Sequence, residues 1–307
     1  MSLPRELIEQ IIQNIQKTYP SASRDELIPI IKQITLKDAE FIKLVKAKTV
    51  KDISRTRIYR TVLKKIKRQV YYQRRTFTRE IDEPRAEILK KICKETSLYS
   101  LRSIELHKKL LQTHTSTQNR TSHYINLYKN IFTVTGTPKS ILDLGCGINY
   151  FSMPFLLQTD KLWSTKLLYV GIEKKKAEVD LGKEYLKCIY AYIDSKSDIS
   201  HQDILQMIKE ERSNILDTTY DVCFLFRMLP LLERHQKNAT AALLSRIRAK
   251  WLVVSISLRS LTKEQDISAK QRSLILKLLD HSYLKIIKRF TLPQEEFYII
   301  KLQISDR

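Results

Sequence analysis

SILDLGCG (140–147) runs a short apolar segment straight into a turn carrying two glycines. The segment is too short and too evenly apolar for an amphipathic helix, so it reads as a buried strand. Gly145 and Gly147 let the backbone pass close to a ligand without a side-chain clash. Downstream, KLLYVGIE (166–173) reads as a second strand, and it ends on an acid, Glu173. YDVCFLF (220–226) and WLVVSIS (251–257) are two more strands. LKIIKRF (284–290) and EFYIIKL (296–302) form a closing antiparallel hairpin joined through Pro293. Helical segments separate these runs, which predicts an α/β domain with a mainly parallel sheet and helices on both faces. Ligands of such sheets sit outside the carboxyl ends of the central strands.

The glycine turn is not the dinucleotide fingerprint, because Ile148, Asn149 and Tyr150 follow Gly147 and no third glycine occurs. A strand, an Asp-x-Gly-x-Gly turn, a helix, and a strand ending on an acid about 30 residues later form the pattern of S-adenosylmethionine sites. The expected fold is therefore a Rossmann-like class I methyltransferase with a mainly parallel seven-stranded sheet. Asp143, Gly145 and Gly147 are expected at the cofactor, and Glu173 is expected to accept hydrogen bonds from its ribose hydroxyls. SHQDIL (200–205) offers a third strand, with either Asp203 or Asp198 placed to bond the adenine amino group. Cys146, inside the turn, and Cys223, inside a strand, read as small buried residues.

The first third of the chain reads as helical and forms a separate domain, residues 1–105, ahead of a methyltransferase domain at 106–307. Ile8, Ile11, Ile12 and Ile15 recur at helical spacing behind Ser2 and Pro4. DELIPIIKQI and KDAEFIKLVKA follow, with Thr35 and Asp38 resembling a capping box. A helical hairpin is expected over about 85–113. Asp82-Glu83-Pro84 marks a hinge.

Charge is concentrated in this domain. The whole chain carries a formal +22 with a pI near 9.7. Residues 43–79 hold 14 Lys or Arg against one acid, Asp52, which accounts for +13 of that excess. Ile58, Val62, Ile66 and Val70 make an apolar stripe there, with Tyr59, Tyr71, Tyr72 and Phe77 interleaved. A face of one sign repels itself and calls for a polyanion. Arg57, Arg60, Lys64, Lys67, Arg68, Arg74 and Arg75 are the expected phosphate contacts. No apolar run reaches membrane-spanning length and MSLPRELIEQ is no signal peptide, so a cytoplasmic protein is expected. Cys93, Cys146, Cys188 and Cys223 lie far apart, which argues against both a zinc site and a disulfide framework.

Four stretches resemble the Arm/Rmt family of aminoglycoside-resistance 16S rRNA (guanine nitrogen-7) methyltransferases, of FmrO type. LLQTHTSTQNR (110–120) is similar to its His-x-Ser-Thr-x-x-Arg segment, and ILDLGCGIN (141–149) to its glycine turn. YDVCFLFRMLPLLERHQ (220–236) matches a Leu-Pro-x-Leu stretch after the fourth strand, and VVSISLRSLTKE (253–264) a Ser-Phe-Pro-x-Arg/Lys-Ser-Leu segment. The resemblance spans about 106–302. It implies that Arg120 pairs with the cofactor carboxylate, that His114 and Gln236 line the same cleft, and that Arg227, Arg259 and Lys263 face RNA or the target base. Asn149 joins Arg227 and Arg259 among the implied catalytic residues. It departs from the family where Asn149-Tyr150 replaces Asn-Pro, where Ile256-Ser257-Leu258 replaces Phe-Pro, and where Arg227 replaces a lysine.

The implied chemistry is methylation of guanine nitrogen-7 in 16S rRNA of the small ribosomal subunit, in the decoding-site region, by a monomer that uses no metal. Nitrogen-7 has a free lone pair and sheds no proton, so no general base is required. An adenine amino methyltransferase would show Asn/Asp-Pro-Pro-Tyr/Phe where Phe226-Arg227-Met228-Leu229-Pro230 stands. A carbon-5 pyrimidine enzyme would need a nucleophilic cysteine there. Methylation of another RNA such as tRNA, and a non-catalytic RNA-binding module on this fold, are the alternatives.

Overall fold

The computed structural model describes residues 3–19, 22–75, 84–159, 166–210, 213–259, 268–280 and 284–302. The chain forms two compact units, Met1–Thr78 and Arg79–Arg307.

The N-terminal unit is helical: α1 (Arg5–Gln16), α2 (Arg24–Thr35), α3 (Ala39–Ala47), α4 (Val50–Arg55) and α5 (Arg57–Arg75). Leu7, Ile11, Ile12 and Ile15 of α1 pack with Leu27, Ile30, Ile31 and Phe41. Ser23 caps α2 by accepting the Glu26 N–H, and Asp38 caps α3 by accepting the Phe41 N–H at 3.2 Å. Thr35 is no part of that cap; it ends α2 and donates its hydroxyl to the Ile31 carbonyl. The inward stripe of α5 is Tyr59, Val62, Ile66 and Val70, with Ile58 only partly buried. Tyr59 therefore belongs to the core and not to the interleaved surface aromatics, and Asn14 donates to its hydroxyl at 3.1 Å. Asp82, Glu83 and Phe77 lie outside the described residues.

The C-terminal unit begins with the expected hairpin, α6 (Arg85–Cys93) and α7 (Leu101–Gln112), followed by α8 (Thr115–Gln118) and α9 (Tyr124–Thr135). Then come β1 (Ser140–Leu144), α10 (Met153–Leu157), β2 (Leu168–Glu173), α11 (Lys176–Cys188), β3 (Asp198–His201) and α12 (Ile204–Met207). The chain closes with β4 (Tyr220–Phe226), α13 (Leu229–His235), α14 (Ala239–Leu244), β5 (Ala249–Ser257), α15 (Ser268–Leu278), β6 (Leu284–Leu292) and β7 (Glu295–Leu302). The sheet order is β3-β2-β1-β4-β5-β7-β6, with β7 antiparallel to both neighbours. Strand residues alternate between two cores: Val222, Phe224 and Phe226 face one side, Cys223 and Leu225 the other. That is the two-residue period of a sheet covered on both faces.

Two expectations need correcting here. The division between units falls at residues 78 and 79 and not at 105 and 106, because Ile88, Leu89, Ile92 and Leu106 pack into the core beneath the sheet. Arg85 reinforces this: it donates to both Glu178 oxygens (2.8 and 3.0 Å), to the Thr113 hydroxyl (2.6 Å) and to the Thr113 carbonyl (2.9 Å). Cys93 and Cys188 are joined in a disulfide between the ends of α6 and α11, their Cα atoms 5.1 Å apart. Ninety-five residues of sequence separate them, so only the packing of those two helices reveals the pair. Cys146 and Cys223 are free and buried, as expected. No helix among the described residues is long and apolar enough to cross a membrane.

Candidate cofactor and target-base site

β1 and β4 are neighbours at the point where the strand order reverses, with β2 and β3 to one side and β5, β7 and β6 to the other. Connections leaving two such strands go to opposite sides, which opens a crevice outside their carboxyl ends. The turn after β1 and the turn after β4 flank that crevice.

In the first turn Gly145 has φ +72 and Gly147 φ +52. Side-chain-bearing residues avoid that conformation. A Cβ on Gly145 would also run into the Met228 side chain, and one on Gly147 would come within 3.4 Å of the His114 ring. The Gly145 N–H is held by the Ile172 carbonyl at 2.8 Å. Glu173, at the end of β2, accepts the Gly147 N–H (3.0 Å) on one oxygen and the Lys175 N–H (2.9 Å) on the other. These bonds fix the carboxylate's orientation and leave a lone pair on each oxygen.

Asp143 is buried beneath the turn, where its Oδ2 accepts from the Asn149 amide and the Tyr169 hydroxyl, each at 2.8 Å. Burial pushes its carboxyl up to about 6, against those two hydrogen bonds and the attraction of Arg120. Asn149 is fully committed: its Oδ1 accepts from Arg120 Nη1 (3.1 Å) and the Tyr124 hydroxyl (2.9 Å) while its amide serves Asp143. Asn149 thus bridges Arg120 and Asp143 within the wall between the two turns.

Arg120, 2% exposed, lies over the Phe226 ring at 4.9 Å and donates to the Ser116 carbonyl at 3.1 Å. Its Nε stands 3.2 Å from Glu295. The second turn places Arg227 at φ +60, a conformation costing roughly 1–2 kcal/mol for a residue with a side chain. The Ser255 carbonyl and hydroxyl each hold its N–H at 3.1 Å. Arg227 Nη2 donates to Glu295 at 2.6 Å, while its Nε and Nη1 are buried without a partner. Strained backbone and orphaned donors concentrate where a ligand completes the site.

His114 caps α8: its Nδ1 accepts from the Ser116 N–H (3.3 Å) and shares a 2.7 Å hydrogen bond with the Ser116 hydroxyl. Burial, with Lys175, Arg85, Arg120 and Arg227 nearby, drives its pKa far down and keeps the ring neutral. Asp203 follows β3 at its carboxyl end, caps α12 and pairs with Lys174 at 2.6 Å. Asp198 starts β3, at the opposite end of the strand, so of the two acids only Asp203 lies on the ligand side of the sheet. A pocket of about 350 Å³ opens there, lined by Lys174, His201, Gln202, Asp203, Gln206 and Met207. Gln236 is half-buried at the far end of α13, and Arg259 is exposed just beyond β5. Lys263 and the side chains of Arg74 and Arg75 lie outside the described residues.

A nucleoside cofactor with an amino-acid tail fits this cradle. Two glycines clear its path, an oriented acid meets a diol, and orphaned guanidinium donors meet an acceptor. Cys146 is buried and its thiol is pushed far up by that burial, so neither it nor the neutral His114 resembles an activated nucleophile. The arrangement binds and aligns.

Residues 105–296, more than half of the chain, match the family model "Ribosomal RNA methyltransferase (FmrO)". The chain belongs to the FmrO family of ribosomal RNA methyltransferases. A 16S rRNA (guanine(1405)-N(7))-methyltransferase of Proteus mirabilis is 29% identical over 64% of this chain and 65% of its own length. One of the same name from Micromonospora rosea is 24% identical over half of each chain. This FmrO-family chain thus spans about half to two thirds of the curated relatives it matches. Its fold is similar to that of the 16S rRNA methylase RmtF in complex with S-adenosyl-L-homocysteine, with a TM-score of 0.59 and 20% identity over 98% of this chain and all of that one. The 16S rRNA methylase ArmA superposes with a TM-score of 0.51 at 24% identity, over 73% of this chain and all of that one.

Glu295, Ser255 and Met228 also line the two turns of this FmrO-family protein, and no sequence pattern marks them. Glu295 is the first residue of β7, just after the hairpin turn of LPQEEF, and it reaches the site through the antiparallel register that sets it opposite Ser257. No local pattern distinguishes it from its neighbour Glu296, which pairs with Arg272 and Arg289.

The buried histidines make the fold acid-sensitive. Burial lowers His107 to about 4, despite its 2.7 Å bond to the Ser103 carbonyl, and it lowers His114 further. Folded pKa values below the unfolded value near 6.5 mean that the unfolded chain binds protons first. Their stability is intact above pH 6.5 and is lost as pH falls toward 4, at about 2 kcal/mol each by pH 5. Asp143 works oppositely: its raised pKa returns roughly 1 kcal/mol between pH 7 and 5 and about 2 kcal/mol between pH 6 and 4. Urea unfolding should show a net loss from pH 7 to pH 5, and His107→Gln should flatten it. A flat wild-type profile would show that these rings are charged in the folded protein.

Proposed function

We propose that this protein transfers the methyl group of S-adenosylmethionine to nitrogen-7 of a guanine in 16S rRNA of the small ribosomal subunit, acting as a cytoplasmic monomer. The observation that carries the reading is the pair of turns at the sheet's reversal point: Gly145 and Gly147 facing Glu173 on one side, and Arg227 with orphaned donors on the other. Membership of the FmrO family and the guanine(1405)-N(7) names of the relatives support the substrate.

The cofactor supplies an electrophilic methyl on a sulfonium. Gly145 and Gly147 leave room for its tail, Glu173 accepts its ribose hydroxyls, and Asp203 is placed for the adenine amino group. Arg120, His114, Asp143 and Gln236 complete the wall on that side. Arg227, Arg259 and Lys263 hold the base and its backbone. Guanine nitrogen-7 attacks through its own lone pair, so alignment is the main contribution of the site. A paired base must first leave its stack, at a cost of a few kcal/mol. The exposed cations of α5, Arg57, Arg60, Lys64 and Arg68, offer phosphate contacts to offset that cost. Lys67, half-buried, adds to that row, and Arg74 and Arg75 belong to it on their sequence alone.

The test is incubation of 30S particles, naked 16S rRNA and tRNA with enzyme and methyl-labelled cofactor, followed by mass spectrometry of the nucleosides. The expected product is 7-methylguanosine in the small-subunit rRNA. Label on adenine or a pyrimidine would overturn the reading, and label confined to tRNA would overturn the substrate.

A further inference from the structure

Glu295 is the one carboxylate that touches both arginines of the site among the described residues. Its side chain is 0% exposed. It accepts from Arg227 Nη2 at 2.6 Å and from the Ser255 hydroxyl at 2.5 Å, and its Oε2 lies 3.2 Å from Arg120 Nε. Arg120 continues through Asn149 to Asp143. The buried wall is therefore an alternating row of charges, in which Glu295 separates two guanidinium groups that would otherwise repel each other in a medium of low polarisability. Its position also determines which donors of Arg227 remain: Nη2 is consumed, while Nε and Nη1 are buried and unpartnered.

We propose that Glu295 is a positioning residue of the methyl-transfer site, one that clamps Arg120 and Arg227 in a single arrangement and cancels one of their two charges so that a cationic cofactor is accepted beside them. The inference rests on the cofactor reading above. S-adenosylmethionine carries one positive charge more than its demethylated product, because the product's thioether is neutral. Two uncompensated arginines would repel the first ligand and not the second. Glu295 thus sets the balance between binding the methyl donor and retaining the spent cofactor, and it leaves the Arg227 donors aimed at an acceptor that the ligands bring.

The experiment measures the dissociation constants of S-adenosylmethionine and S-adenosylhomocysteine by calorimetry on the full-length chain, and reads their ratio. In Glu295→Gln the ratio should rise roughly tenfold against methyl donor, the scale of one partly screened unit charge acting on the sulfonium. Glu295→Asp keeps the charge and should hold the ratio within about twofold of wild type. A purely structural role would weaken both ligands alike and leave the ratio unmoved in Glu295→Gln, which would overturn the proposal. Loss of the buried anion can also unfold the chain. In that event Arg227→Gln, which removes a cation from the same trio, should move the ratio in the opposite direction, and an unmoved ratio there is equally fatal. Wild-type protein that binds neither ligand would instead sink the cofactor reading.

Discussion

Replacing Arg57, Arg60, Lys64 and Lys67 together with Gln should weaken RNA binding on the order of a thousandfold at 0.1 M salt. Each phosphate contact releases counterions worth a slope of roughly −0.7 to −0.9 in the logarithm of affinity against the logarithm of salt, so four lost contacts should flatten that slope by about 3. The substitutions spare the helix core, since Tyr59, Val62, Ile66 and Val70 point inward. Arg57, Arg60 and Lys64 are exposed, and Lys67 is half-buried with its ammonium on Thr18 at 2.9 Å. Lys65 provides an internal comparison. It is exposed but already paired with Asp38 at 2.8 Å, so Lys65→Gln should change the slope less than any of the four. Filter binding across a salt series measures both. Cofactor affinity should not change, because that site is built by the other unit. A quadruple variant with the wild-type slope and full methylation would reduce this surface to a solvated face, and one that loses cofactor binding would give it a structural role.

Gly145→Ala should weaken S-adenosylmethionine binding roughly a hundredfold. At φ +72 an alanine costs about 1–2 kcal/mol. Its Cβ meets the Met228 side chain, and overpacking of that kind typically adds about 1–3 kcal/mol. The atoms met are Met228 Cγ, Sδ and Cε, while its carbonyl is fixed at the start of α13 by the Leu231 and Leu232 N–H groups at 3.0 Å, so the side chain gives way before the backbone does. Either the thioether swings into the crevice or the Arg227 turn moves. A hundredfold corresponds to about 2.7 kcal/mol, the scale of that strain, and it appears in binding to the extent that the turn relieves it by leaving its ligand-binding shape. Gly136→Ala separates strain from contact. Gly136 has φ +71 at the end of α9, with no heavy atom within 4 Å of its would-be Cβ. It should lower the melting temperature and leave calorimetric cofactor affinity unchanged. Gly145→Ala protein that binds within twofold of wild type would remove this turn from the cofactor site.

Much of this molecule is legible in its amino-acid sequence. The strands were readable because a sheet buried on both faces needs continuous apolar runs, and VCFLF, LVVSI and FYII are such runs. The glycine turn and the acid after β2 were readable because their spacing is local to one β-α-β unit. The sequence does not distinguish Asp203 from Asp198 as the acid at the carboxyl end of β3. That choice depended on where β3 begins, and a four-residue strand leaves too little periodicity to locate its ends.

The sequence by itself determined the fold class, the glycine turn, Glu173 and the charge on α5, all of them properties of contiguous residues. Only the tertiary structure decided what those residues touch. It drew α6 and α7 into the core of the second unit, because Ile88, Leu89 and Leu106 are satisfied by the sheet's helical layer and not by α1–α5. It joined Cys93 to Cys188, and it carried Glu295 to Arg120 and Arg227, positions 175 and 68 residues away. A buried charge must find its partner wherever the chain supplies one, and strand register and helix packing, which are set by the whole core, determine where that is.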